Sequence, residues 1–215
     1  MIRIVLIDDH AIVRTGYRRL LSAEPDFIVV GEAASAEEAN ALVQQVQPDI
    51  ALVDLSLKGS SGLEAIRGML GRQARLRILV LSMHDSIGHV TQALRSGAHG
   101  YLTKYSEPDE VIEALRRVAA GRKAFSPDVA EALAGSALEM EQPLQQLTPR
   151  EFEVLRMLAR GDSAAEIADA MHLSTKTILN YLSLIRQKLD ADSDFKLLHL
   201  AARHGLVDMR EPACA

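Results

Sequence analysis

The stretch Met1-Ile2-Arg3-Ile4-Val5-Leu6-Ile7-Asp8-Asp9-His10 sets an aliphatic run against an abrupt acidic stop. The run is apolar on consecutive positions rather than alternate ones, as a strand buried on both faces should be. Four more short runs of the same character follow, at Phe27-Val30, Ile50-Val53, Ile78-Leu81 and Gly100-Thr103. The segments between them have helical period: His10-Leu21 places Val13, Tyr17, Leu20 and Leu21 in one stripe, and Ala36-Val46 does so with Ala39, Leu42, Val43 and Val46. Ser35-x-x-Glu38 and Ser61-x-x-Glu64 fit capping boxes, and Ser106 precedes Pro108 at the start of another helix. Five strands alternating with five helices predict an α/β lobe built on a doubly wound, five-stranded parallel sheet. Such sheets carry their sites at the carboxyl ends of the strands.

Composition fits that reading. Of 215 residues, 48% are hydrophobic and 25% charged, which excludes a disordered, collagenous or membrane-spanning chain. The one cysteine, Cys214, offers neither an internal disulfide nor a cysteine metal cluster, so a reducing compartment is expected. The first aliphatic run is too short for a secretory signal, and no stretch approaches the roughly 18 apolar residues of a membrane helix. A cytoplasmic protein with no membrane partner is expected. Net charge is −5 and neither half is basic, so any nucleic-acid surface must be a local patch.

After about Arg122 the pattern changes. Ser126-Pro127 can start one more helix, and Glu139-Met140-Glu141-Gln142-Pro143-Leu144-Gln145-Gln146 reads as a polar linker. Only helical signals follow. Thr148-Pro149-Arg150-Glu151 joins an N-cap, a proline at N1 and a glutamate at N3; Gly161 ends that helix, and Ser163-Ala164-Ala165-Glu166 starts a second. His172-Leu173-Ser174 turns into a third. The expected division is 1–121 for the α/β lobe, 122–145 for a linker, 146–208 for a small all-α domain and 209–215 for a tail.

Asp8 and Asp9 follow the first strand, Asp54 ends the third, Ser82 ends the fourth and Lys104 follows the fifth. In a parallel sheet these positions meet at one edge. Grouped carboxylates repel, and Mg²⁺, a hard cation with oxygen ligands, is their natural counter-charge. Lys104 then offers a compact charge to an incoming anion and Ser82 a hydroxyl. A carboxylate between two cations can attack a phosphoryl group, because the cations neutralise the charge that spreads over its oxygens. His10 and His84 fall at the mouth of this pocket, with no cysteine partner or fixed histidine spacing to define a transition-metal site.

Asp8-Asp9-His10, Asp54, Ser82 and Lys104 resemble the receiver domain of bacterial two-component response regulators, which is flavodoxin-like, over roughly residues 1–121. The resemblance implies that Asp54 is the phosphoacceptor and that Asp8, Asp9, Asp54 and the Ser56 carbonyl bind Mg²⁺. It also implies that Lys104 pairs with the phosphoryl group, that Ser82 and Tyr101 form a switch, and that a sensor histidine kinase is the donor. Leu57-Lys58 stands where the family usually has Met-Pro. The haloacid-dehalogenase-like phosphatases use the same aspartyl-phosphate chemistry but need an acid two residues after the nucleophile. Ser56 occupies that position, so a regulator rather than an enzyme is expected.

Ser174 to Leu189 contains Lys176, Arg186 and Lys188 and no acid. As a helix capped by Ser174 it gathers Ile178, Tyr181, Leu182, Ile185 and Leu189 on one face and Lys176, Asn180, Ser183 and Gln187 on another, with Leu179 and Arg186 flanking. This is the pattern of a recognition helix in a helix-turn-helix. Lys176 near one end and Arg186 and Lys188 near the other are placed for phosphates, and Asn180 and Leu179 for an adenine and a thymine methyl. Thr148-Pro149-Arg150-Glu151, Glu166-Ile167-Ala168, Leu173-Ser174, Lys176-Thr177-Ile178 and Lys188-Leu189 resemble the LuxR-type domain of the NarL/FixJ response regulators, and His199 to Leu206 looks like its last helix. The resemblance implies DNA contact by Lys176, Thr177, Leu179, Asn180, Ser183, Arg186 and Lys188 on double-stranded promoter DNA, with homodimers on activation. A receiver acting through protein contacts, with a degenerate DNA-binding domain, is the competing expectation, since residues 143–215 lack net positive charge and Leu179 is apolar.

Overall fold

Six strands form where five are expected. The computed structural model describes residues 1–57, 61–136, 143–204 and 206. The loop residues 58–60, the linker residues 139–142 and the tail with Cys214 lie outside them. The strands are β1 (Ile2–Ile7), β2 (Phe27–Ala33), β3 (Ile50–Val53), β4 (Arg77–Ser82), β5 (Gly100–Thr103) and β6 (Ala124–Phe125). All pairings are parallel, in the order β2-β1-β3-β4-β5-β6. The sixth strand lies in the stretch read as linker. Its two residues pair with Gly100 and Tyr101, giving the outer edge of β5 a partner.

The helices between the strands are α1 (Ala11–Ser22), α2 (Ala36–Val46), α3 (Gly62–Arg72), α4 (Ile87–Arg95) and α5 (Pro108–Ala119). The middle strands β3 and β5 are buried at every position, as their unbroken apolar runs require. β2 runs past its expected end at Val30 to Ala33, because a register shift opposite Ile4/Val5 lets the ladder continue through Gly31 and Glu32. One apolar cluster, with Ile4, Leu6, Leu52, Leu81, Val111 and Leu115, fills the α5 side of the sheet.

Beyond the sheet come α6 (Pro127–Ser136), a 3₁₀ turn (Pro143–Gln146), α7 (Pro149–Ala159), α8 (Ala164–Ala170), α9 (Thr175–Lys188) and α10 (Asp194–Arg203). Thr148 and Glu151 form the expected capping box, as do Ser163 and Glu166. His172 takes a left-handed conformation (φ 55°) in the turn before α9, and Ser174 caps α9 by accepting from the Thr177 amide at 3.1 Å. Two expected starts differ. Glu107, not Ser106, caps α5, with Glu110 accepting from its amide at 3.2 Å. Ser61 makes no cap bond in α3, because its hydroxyl donates to Glu153 of α7 at 3.2 Å, 92 residues away.

That contact belongs to a docked interface. Gln92 of α4, 1% exposed, donates to the carbonyls of Leu144 (2.9 Å) and Leu147 (3.1 Å), Arg150 pairs with Glu64, and Leu144 is buried. The second apolar cluster runs without a break from Val53, Ile66 and Val90 on the α3/α4 side of the sheet into Phe152, Leu155, Ile178 and Leu197 of the helical lobe.

Candidate functional site

The strand ladder continues into the site. The amide of Asp8 donates to Ala33, that of Asp54 to Ile7 at 2.8 Å and that of Lys104 to Ser82 at 2.8 Å, so the residues that follow β1, β3 and β5 are fixed by main-chain bonds. β1 and β3 are neighbours at the point where strand order reverses, which opens a crevice there. Gly62 closes one wall: a Cβ on it would lie 2.5 Å from the Leu55 Cα and 2.6 Å from the Asp54 carbonyl oxygen.

Lys104 Nζ reaches over β4 and donates to Asp8 Oδ2 and Asp54 Oδ2, each at 2.7 Å. Asp54 is 3% exposed and Asp8 6%. Burial works against the Lys104 charge, yet hydrogen bonds to Asp54 and Asp8 outweigh it and hold the ammonium above its usual range. Asp54 Oδ1 accepts from the Ser56 amide at 3.2 Å, and Asp8 Oδ1 from the His10 amide at 2.7 Å. Asp8, Asp9, His10 and Asp54 each bring one ligand atom within 4.8 Å of the others. Three carboxylates against one ammonium leave an excess of negative charge, and their oxygens suit a hard divalent cation.

Ser82 and Tyr101 meet at one segment. The Tyr101 hydroxyl donates to the His84 carbonyl at 2.6 Å, and the His84 amide donates to Ser82 Oγ at 3.2 Å. Tyr101 is fully buried, and burial raises its phenol far above the ordinary range. The His84 ring, 3.4 Å from Ser56 Oγ through Nε2, stacks on His89 at 4.4 Å, and His89 meets the edge of Phe152 of α7 at 5.2 Å. His89 Nδ1 sits 2.7 Å from Ser86 Oγ. This chain of rings from the pocket to the helical lobe carries no sequence signal, since its members lie up to 68 positions apart.

In α9, Ile178, Leu182 and Ile185 are buried, while Lys176, Leu179, Asn180, Ser183 and Gln187 are exposed and Thr177 is half-buried. The expected division of faces is thus present. Two of the expected phosphate-binding cations have protein partners: Lys188 Nζ holds both oxygens of the buried Glu151 carboxylate at 2.8 and 2.6 Å, and Arg186 pairs with Asp194 at 2.5 Å. Lys176 remains on the exposed face. No helix among the described residues is long and apolar enough to cross a membrane.

Known proteins share both halves. Residues 4–116 match the response regulator receiver domain, and residues 145–201 match the bacterial regulatory proteins of the luxR family. The chain is 36% identical over 211 residues to the response regulator GacA of Pseudomonas aeruginosa, covering 97% of this chain and 99% of that one. It is 36% identical over 209 residues to the response regulator UvrY of Escherichia coli, covering 96% of each. Among solved structures it is similar to RcsB of Salmonella enterica bound to the promoter rprA with the phosphomimetic BeF₃⁻. That likeness has a TM-score of 0.70 at 25% identity, over 94% of this chain and 98% of that one. The luxR match spans α9, which argues against a degenerate DNA-binding domain.

Proposed function

The chain belongs to the NarL/FixJ family of response regulators, with a receiver domain followed by a luxR-type DNA-binding domain, and from that premise we propose that it is a phosphorylation-dependent transcriptional regulator of a two-component system. It accepts a phosphoryl group from a sensor histidine kinase on Asp54 and binds double-stranded promoter DNA through α9 as a homodimer, in the cytoplasm. The carrying observation is Lys104 Nζ bridging Asp8 and Asp54 at 2.7 Å each. The division we propose is a receiver over 1–121, a linker over 122–145 that adds β6 and α6 to it, a DNA-binding domain over 146–208 and a tail.

Asp8, Asp9, Asp54 and the Ser56 carbonyl would hold Mg²⁺, which when bound neutralises charge on the phosphoryl oxygens. The Asp54 carboxylate forms the new O–P bond as the donor's bond to phosphorus breaks. Lys104 supplies the second positive charge, already in place, so that no reorganisation is needed as the oxygens charge. Ser82 and Tyr101 both grip His84 and form the switch. Ser56 provides no acid to drive rapid hydrolysis of the aspartyl phosphate. The RcsB relative is bound to promoter DNA, and on this chain the outward position of Lys176, Leu179, Asn180 and Ser183 on α9, with Thr177 half-buried beside them, supports assigning base contact to Leu179, Asn180 and Ser183 and phosphate contact to Lys176 and Thr177. Arg186 joins them by exchanging the exposed Asp194 for a phosphate, and Lys188 turns its remaining N–H donor to the DNA backbone while it keeps the buried Glu151.

Acetyl phosphate with Mg²⁺ tests the acceptor. Intact mass should show one added phosphoryl group on the native chain and none on Asp54→Asn; labelling retained in that variant overturns the assignment.

A further inference from the structure

His10 enters the acidic pocket with geometry that the phosphoryl chemistry does not use. Its backbone is fixed, because it caps α1 and its amide donates to Asp8 Oδ1 at 2.7 Å. Its ring Nδ1 lies 2.9 Å from Asp9 Oδ1 and 3.2 Å from Asp8 Oδ1. In an octahedral centre with bonds of about 2.1 Å, adjacent ligand atoms stand about 3.0 Å apart and opposite ones about 4.2 Å. Both nitrogen–oxygen separations match adjacent positions, and the 4.8 Å limit enclosing one ligand atom each from Asp8, Asp9, His10 and Asp54 accommodates a single ion. Lys104 occupies the Oδ2 atoms of Asp8 and Asp54, and each Oδ1, which accepts one backbone amide, keeps a second acceptor site for a cation.

We propose that His10 Nδ1 is a ligand of this centre, which therefore takes mixed nitrogen–oxygen divalent ions of the first transition row, Mn²⁺ among them. It favours them over Mg²⁺ by more than an all-oxygen site does. Imidazole suits those ions, whereas Mg²⁺ keeps oxygen ligands and waters. Ligation requires the imidazole proton on Nε2. The side chain is 58% exposed, so water can serve that nitrogen. The inference rests on the metal-binding reading of the pocket.

The test uses the full chain with Mn²⁺ as probe, read by pulsed electron paramagnetic resonance and by competition against Mg²⁺. Bound Mn²⁺ should show the nitrogen coupling of a directly ligated imidazole, changed in pattern by ¹⁵N-histidine labelling and absent in His10→Ala. Mn²⁺ affinity should fall about tenfold in that variant and Mg²⁺ affinity less than about threefold. Mn²⁺ bound without nitrogen coupling, or coupling that persists in His10→Ala, overturns the role of His10 while the metal site stands. Mn²⁺ binding unchanged in Asp9→Asn, or absent from the native chain, overturns the metal site and this inference with it.

Discussion

At the scale of single residues, Lys104 and Gly62 carry the tightest constraints on the pocket. Lys104 is the common partner of two carboxylates that would otherwise face one another across the crevice. Replacing it with methionine keeps the length of the side chain and removes the charge, so phosphoryl uptake from acetyl phosphate should slow by about a hundredfold in an intact-mass time course. Uptake at the native rate would mean that the ammonium does not serve the reaction. Gly62 approaches the backbone of Asp54 and Leu55 too closely for any side chain. Gly62→Ala should cost about 1–3 kcal/mol in urea unfolding, and should slow phosphorylation too because the displaced backbone is that of the acceptor. The positions of Asp8, Asp9, Asp54, Ser82 and Lys104 were legible in the sequence because each ends or follows a strand and strand ends converge by topology alone. What Lys188 does was not, since the buried Glu151 that holds it lies 37 positions away on another helix. That pair separates two cations that look alike in the sequence. Lys176→Ala should lower the salt dependence of DNA binding by about one unit of slope and leave stability alone. Lys188→Ala should cost stability of about 1–3 kcal/mol, because it takes the cation from a carboxylate 5% exposed and leaves it the Thr148 amide.

Among the elements, α7 and α4 decide how the two lobes meet. The capping boxes of α7 and α8 were legible because both partners are local; that of α3 failed because Ser61 and Glu64 are taken by Glu153 and Arg150 of α7. Pattern reading sees three residues ahead, and a tertiary partner 86 or 92 positions away wins when it brings a charge. The sixth strand was missed for a related reason: two residues cannot show a period, and only the open edge of β5 makes them a strand. The ring stack of His84, His89 and Phe152 has the same long-range character and gives a pH signature. Burial, then the charges of His84, Arg156 and Arg160, hold His89 well below its ordinary value. The unfolded chain therefore binds a proton near pH 6.5 that the folded chain refuses, so stability is full above that pH and falls as pH drops below it. The slope should be at most about 1.4 kcal/mol per pH unit for this one group. Urea unfolding of the native chain between pH 7.5 and 5.5 should show the loss, and His89→Phe, which keeps an aromatic edge contact with Phe152, should reduce it, leaving the part that His84 and His99, both also lowered by burial, contribute. An equal slope in both proteins would remove His89 as the source.

At the scale of the whole molecule, the docked arrangement bears on how phosphorylation is read out. The receiver grips α7 and the 3₁₀ turn through Ser61, Glu64, His89 and Gln92, while Lys176, Leu179, Asn180 and Ser183 of α9 stay exposed. Release of a covered recognition face is therefore not what activation needs to supply. The proposed homodimer offers another route, pairing. One helix-turn-helix binds DNA weakly, and linking two raises occupancy by about 10² to 10⁴-fold when the half-sites suit the geometry. A cleft of about 400 Å³ that is open to solvent, lined in part by Leu57, Glu64, Arg150 and Met157, runs beside the interface. These facts separate two mechanisms by experiment. Gln92→Ala removes both bonds to the Leu144 and Leu147 carbonyls and loosens the dock. If pairing controls binding, the unphosphorylated variant should stay monomeric and bind a short duplex within about threefold of the native chain at fixed salt. Beryllofluoride with Mg²⁺ should then dimerise both proteins and tighten binding to a fragment with two half-sites by about 10² to 10⁴-fold. Tenfold tighter binding by monomeric Gln92→Ala, without beryllofluoride, would instead mean that the receiver blocks DNA sterically even though the face of α9 is open to water.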